Sequence, residues 1–157
     1  MLMMCQDADM CQGETVGPLE EAVGYVLKQV ASALRSGMDA ALRPLDLTVP
    51  QYACLELLGQ RPGLSNAELA RGAFVTRQSM NGVLRGLQDR GLVTRADTAD
   101  HGRARPAELT DTGRTRLTAA SVAVHAVEED LLRPLPPERR RRLLDDLTAC
   151  LPSPPGS

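Results

Sequence analysis

Apolar positions along the chain change their spacing several times, and each change marks an element. Leu19, Val23, Val26, Leu27, Val30, Leu34, Met38 and Ala41 recur at three- and four-residue intervals, the repeat of one helix face. With Pro18 suited to a first turn, this spacing predicts a helix of about seven turns, and Pro44 ends or kinks it. Thr48-Val49-Pro50-Gln51 and Ser65-Asn66-Ala67-Glu68 each have the form of a capping box, in which hydroxyl and N3 side chain satisfy each other's backbone N–H groups. Two short helices are expected after them, one carrying Tyr52, Leu55 and Leu58 to near Gly59, the other barely two turns through Leu69 and Ala70. Arg61-Pro62-Gly63 turns the chain between them, and Gly72-Ala73-Phe74-Val75 turns it again into Thr76.

The stretch Thr76 to Arg90 has two unlike faces. At 100° per residue, Met80, Val83, Leu84 and Leu87 fall in a sector of roughly 100°, the width a helix buries against a core. The opposite side gathers Arg77, Gln78, Asn81, Arg85 and Gln88, long polar side chains of the kind that pair with base edges and phosphates in a major groove; a merely solvated helix face carries the same residue types. Thr76 caps this helix, and Gly91 stands where a left-handed residue would end it. Gly82 and Gly86 inside it each cost about 1 kcal/mol relative to Ala and call for close packing against DNA or a neighbouring helix.

Beyond Gly91, Leu92-Val93-Thr94-Arg95 has strand character, residues 97–105 are polar around Gly102, and Ala107-Glu108-Leu109 alternates again, the pattern of a β-hairpin. Thr110 then caps a long helix with apolar positions at Leu117, Val124, Val127, Leu131 and Leu132. Residues 134–137 break it, and Glu138 to Leu151 forms a last helix with Leu143, Leu144, Leu147 and Leu151 on one side. Two short helices, a tight turn, an amphipathic helix and a hairpin make up a winged helix-turn-helix. The predicted class is mainly α: a winged helix-turn-helix with long N- and C-terminal helices and a small β-hairpin wing. The expected divisions are a flexible tail over 1–16, an N-terminal helix over 17–44, the winged domain over 45–110, C-terminal helices over 111–151 and a loose end over 152–157.

Composition narrows the chemistry. A chain of 157 residues suits one architectural unit. Its net charge of −2 draws it to no polyanion as a whole, yet residues 71–105 hold seven arginines (71, 77, 85, 90, 95, 103, 105) against three aspartates (89, 97, 100), so the middle of the chain is locally basic. Three aromatic residues, Tyr25, Tyr52 and Phe74, are too few for a module that stacks single-stranded bases. Cys5, Cys11, Cys54 and Cys150 form no CxxC and no zinc spacing with His101 or His125, and Cys54 reads as a small core residue. No cofactor is expected. Nucleophile triads and phosphate-cradling glycine patterns are absent from the sequence, so an enzyme is not expected. The opening MLMMCQDADMCQGE has neither a basic start nor an apolar run, and no later stretch reaches the length of a membrane span, so a cytoplasmic protein is expected.

Several stretches together resemble the MarR family of winged helix-turn-helix regulators: Leu47-Thr48-Val49-Pro50-Gln51-Tyr52, Leu64 through Ala70, Thr76 through Leu84 with Leu87 and Gly91-Leu92-Val93, Asp100-His101-Gly102-Arg103, and Leu109 through Gly113. The resemblance implies a homodimer joined through its first and last helices, acting on pseudo-palindromic double-stranded DNA and relieved by a small phenolic or carboxylate effector or by thiol oxidation. It implies DNA contacts from Ser65, Thr76, Arg77, Gln78, Ser79, Asn81, Arg85 and Arg95, and from Gly102, Arg103 and Arg105 of the wing, the arginines there entering the minor groove. Where relatives usually carry Asp-x-Arg in the wing, His101 stands in place of the Asp, with Asp100 one place off. Relatives place the effector between the dimer helices and the helix-turn-helix, which points to Tyr25, Met38 and Tyr52. Peroxide-sensing members carry their cysteine in the first helix, near Gly24-Tyr25 here, where none stands; Cys5, Cys11 and Cys150 are the remaining redox candidates. The alternatives are a protein-interaction module of the same fold without DNA binding, and a cysteine-based redox regulator.

Overall fold

A computed structural model of the chain describes residues 17–95 and 106–152. Six α-helices and one hairpin are found among them: α1 (Val23–Leu42), α2 (Val49–Gln60), α3 (Asn66–Gly72), α4 (Arg77–Asp89), β1 (Val93–Arg95), β2 (Ala107–Leu109), α5 (Asp111–Leu132) and α6 (Pro137–Ala149). The fold is mainly α with a two-stranded antiparallel sheet, as the hydrophobic pattern predicts. No helix among the described residues is long and apolar enough to cross a membrane.

The chain divides into two compact units, Met1–Ala33 and Leu34–Ser157, with the boundary inside α1. In the first, the expected helix from Pro18 is interrupted: Leu19–Glu21 is a single 3-10 turn, and Ala22 leaves the helical region at ψ 108°. The Ala22 N–H closes that turn on the Leu19 carbonyl, while its own carbonyl accepts from Tyr25 and Val26 to begin α1. The backbone resets at Ala22, and the α-helix runs 20 residues rather than seven turns. Leu19, Val23, Tyr25, Val26, Leu27 and Val30 are all exposed.

The second unit holds the core. Leu42, Cys54, Leu55, Leu69, Met80, Leu84 and Leu87 are fully buried, joined by Leu47, Leu58, Leu92, Val93, Leu109 and Val124. Both predicted capping boxes form. Thr48 Oγ1 accepts from the Gln51 N–H while Gln51 returns a carbonyl oxygen to the Thr48 N–H, and Ser65 and Glu68 do the same for α3. The sheet register pairs Val93 with Leu109, Thr94 with Glu108 and Arg95 with Ala107. Val93, Ala107 and Leu109 therefore face the core, the inward half of a period-two alternation.

Thr110 ties the hairpin to α5. Its N–H donates to the Leu92 carbonyl at 3.1 Å, its hydroxyl donates to the Gly91 carbonyl at 2.7 Å, and the same oxygen accepts from the Gly113 N–H at 2.9 Å. This clasp draws the first turn of α5 so close that a Cβ at Gly113 would stand 2.0 Å from the Leu92 carbonyl oxygen. At the far end, α6 begins at Pro137, a proline in its first turn, and stops at Ala149 with Cys150 as its cap, two residues before the predicted end. None of its residues is buried.

Candidate nucleic-acid interface

The two faces of α4 separate as its sequence predicts. Met80, Leu84 and Leu87 have no exposed surface and Val83 is half-buried, while Arg77, Gln78, Ser79, Asn81 and Arg85 are exposed; Gln88 is half-buried. Thr76 starts the helix with its hydroxyl oxygen accepting from the Ser79 N–H at 3.1 Å and its proton directed at Ser79 Oγ. Asn66 at the start of α3 donates from Nδ2 to the Arg77 carbonyl at 3.3 Å, which fixes α3 against the first turn of α4. Gly91 follows at φ +67°, the left-handed residue that stops the helix.

The exposed face is positive. From Leu69 to Gln88 the chain has Arg71, Arg77 and Arg85 and no acidic residue, and among the described residues no carboxylate pairs with Arg77 or Arg85. Guanidinium groups left free on a rigid helix can each present a planar pair of donors to phosphate or guanine. The hydroxyls of Ser65 and Thr76 have structural duties as caps, and Glu68, whose carboxyl lies below its ordinary range chiefly through its hydrogen bond with the Ser65 side chain, shows the first of these at work.

Two glycines of α4 do not serve helix packing. A Cβ at Gly82 meets nothing within 4 Å, and one at Gly86 makes only ordinary contact with the Gln51 amide at 3.5 Å. The expectation of close approach to a neighbouring helix is thus corrected, because Gly82 lies on the open side of α4.

Arg95 stands apart from the other predicted contacts. The strand alternation turns it to the core side, paired with Ala107, where it is half-buried and close enough to Cys54 to act on its thiol. The other wing candidates, Gly102, Arg103 and Arg105, lie outside the described residues, as does His101. Cys5 and Cys11 lie outside them too. Cys150 is exposed, whereas Cys54 is buried and its thiol is pushed up to about 12 by burial, which keeps it protonated and unreactive at neutral pH.

Tyr25 is exposed in the first unit; Met38 and Tyr52 are partly buried against the core of the second, and burial raises the Tyr52 phenol. A groove of about 820 Å³ opens between the end of α2, β2 and α5, with Leu58, Leu109, Leu117 and Val122 in its walls and Glu56, Arg114 and His125 among its polar groups. Tyr52 lies behind this lining, since Ser121 and Glu56, which act on its hydroxyl, are themselves hydrogen-bonded at 3.1 Å. His125 is exposed beside Glu128. Sequence reasoning missed this groove because its walls come from three elements, none of which shows a local motif.

Sequence reasoning also missed Phe74. It is 95% exposed and sits in the turn between α3 and α4 at φ +55°, a conformation that costs an L-residue about 1–2 kcal/mol. The signal was present: the turn needs a left-handed residue, and the glycine of Gly72-Ala73-Phe74 falls two places early.

The arrangement of α2, α3, α4 and the hairpin defines a winged helix-turn-helix, and comparison with known proteins agrees. The MarR family model matches residues 45–104. The HTH-type transcriptional repressor Rv2887 of Mycobacterium tuberculosis is 46% identical over 128 residues, covering 80% of this chain and 92% of the repressor. The transcriptional regulator HosA of Escherichia coli is 34% identical over 95 residues, 60% of this chain and 70% of its own. Among solved structures, Rv2887 in complex with salicylic acid superposes with a TM-score of 0.70 at 44% identity, covering 81% of this chain and 94% of that one. Rv2887 in complex with DNA gives 0.69 at 43%, covering 80% and 96%. The chain belongs to the MarR family.

Proposed function

We propose that this chain is a transcriptional regulator, a repressor, that binds pseudo-palindromic duplex DNA as a homodimer and is released by a small aromatic acid. The observation that carries this reading is the division of α4: one side is sealed in the core, while Arg77, Gln78, Asn81 and Arg85 stand exposed on a helix held by caps at its start and a left-handed glycine at its end. A helix presented in this way places its N-terminal residues against base edges, and a two-fold pair sets two such helices about one DNA turn, roughly 34 Å, apart. Ser79 shares the exposed face, and Ser65 and Thr76 direct it as caps; the contacts assigned to Gly102, Arg103 and Arg105 in this reading are with the minor groove. Repression takes place where the chromosome is, in the cytoplasm, and its output is occupancy of DNA rather than turnover of a substrate. The relatives named as a repressor and a regulator, and the relative solved with DNA, support this.

The effector site is the groove between α2, β2 and α5. Its leucines and valine suit an aromatic ring, and Arg114 supplies positive charge for a carboxylate, in keeping with the salicylic acid bound by the relative. Such a ligand shifts the dimer only if it binds one spacing of the recognition helices better than the other.

Gel shift on DNA upstream of the protein's own coding sequence, at about 150 mM salt, is the test. Preference over random duplex is expected, with release by salicylate; equal affinity for both DNAs refutes the regulator reading. Arg103→Ala is expected to weaken binding and to reduce the salt slope by about one, with the dimer intact by ultracentrifugation.

A further inference from the structure

Phe74 is the only phenylalanine in the chain. Its ring is almost wholly in solvent, and its backbone is in the left-handed region, which a bulky side chain rarely occupies. A glycine at this position would satisfy the same turn without strain, so neither packing nor backbone geometry accounts for the ring. Its surroundings indicate a partner. It stands two residues before Thr76, the cap of α4, between the exposed Arg71 and Arg77, inside the 20-residue stretch from Leu69 to Gln88 that contains no acidic residue. An apolar group framed by arginines at the tip of a groove-entering helix matches a surface that is anionic with apolar points. In the major groove the apolar point is the thymine C5-methyl.

We propose that Phe74 is a specificity-determining DNA contact, pressing its ring on a thymine methyl at the outer edge of each half-site. This rests on the reading of the chain as a DNA-binding regulator and adds a residue to it. The strain in the turn is retained because the ring is used when the helix docks, an instance of local strain held at a working surface.

The test uses the full chain and a duplex from upstream of its own coding sequence, with the footprint first mapped for the unaltered protein. F74G removes the ring and relaxes the turn. It is expected to melt at a higher temperature than the parent yet bind the duplex roughly tenfold more weakly, with the same dependence on salt, because no charge has been removed. F74A, which keeps the left-handed strain, should bind as weakly as F74G and melt near the parent. Replacing footprint thymines singly by uracil deletes the methyl alone. The parent should lose affinity at one position in each half-site, and F74G should be indifferent there. Equal affinity of F74G and the parent, or a uracil effect that persists in F74G, overturns the proposal while leaving the regulator reading in place. A parent that binds promoter and random duplex alike overturns both.

Discussion

At Gly113 the backbone leaves no room for a side chain. A Cβ there would meet the Leu92 carbonyl oxygen at 2.0 Å, and backbone, unlike the end of a long side chain, cannot step aside. Gly113→Ala is expected to cost about 3 kcal/mol, the upper end of overpacking effects, with the hairpin torn from α5; urea denaturation measures it, and a loss below about 1 kcal/mol would show that the clasp yields. Gly82 is the opposite case. A methyl there meets nothing within the protein, so Gly82→Ala should stabilise α4 by about 1 kcal/mol, raising the melting temperature by about 3 °C in a chain of this size. DNA affinity should fall in the same variant if the glycine is kept for close approach of the duplex backbone, and an unchanged gel shift would dismiss that reason. Two glycines with one sequence signature thus have unrelated causes, and only their neighbours tell them apart.

Among the elements, the connection from α1 to α2 is held by charges from elsewhere. Arg116 of α5 donates to the Leu45 carbonyl at 2.8 Å, and Arg90, at the end of α4, donates to the carbonyls of Asp46 and Leu45. Asp46 lies in the left-handed region at φ +52°, and its own carbonyl and that of Leu45 accept from these two guanidiniums. Bonds to charged donors contribute about 1.5–3 kcal/mol each where partly shielded, so Arg116→Ala is expected to lower unfolding stability by about 1.5 kcal/mol. Arg90 is more exposed and should matter less, by the discount that solvent imposes on surface charges. Equal losses in the two variants, measured by chemical denaturation, would contradict this ordering. The clamp also joins the recognition helix to the segment leading from α1, which gives a change in the helical frame a direct route to the orientation of α4.

At the scale of the molecule, the apolar surface left over is concentrated in the terminal helices. α6 buries none of its residues, and Leu144, Leu147 and Leu151 are exposed, although Arg140 anchors the helix to Glu129 of α5 at 2.7 Å and to the Leu135 carbonyl in the turn between the two helices. Side chains of this size are worth about 1.5–3 kcal/mol each when covered, and a second copy covers them in the dimer proposed above. The double variant Leu144→Glu with Leu147→Glu should sediment as a monomer and bind DNA far more weakly than the parent, since each half-site alone offers half the contacts. A dimer that survives both changes would place the subunit contact on another surface.

Much of the fold could be read directly because it depends on neighbours along the chain. The capping boxes at Thr48 and Ser65, the cap at Thr76, the stop at Gly91 and the buried stripe of Met80, Leu84 and Leu87 involve partners within four residues or a fixed helical period, and local rules of hydrogen bonding and periodicity settle them. The arginine-and-amide face of α4 follows from the same arithmetic. The start of the first helix was misplaced at Pro18 because apolar spacing carries through Ala22 even though the backbone does not. What required the tertiary structure was whatever depends on residues distant in sequence: the inward turn of Arg95 with its strand, the approach of Gly113 to Leu92, the clamp of Arg90 and Arg116 on Leu45, and a groove walled by α2, β2 and α5. Such contacts arise only when the chain closes loops of tens of residues, and no periodicity in the sequence encodes where those closures bring two side chains together.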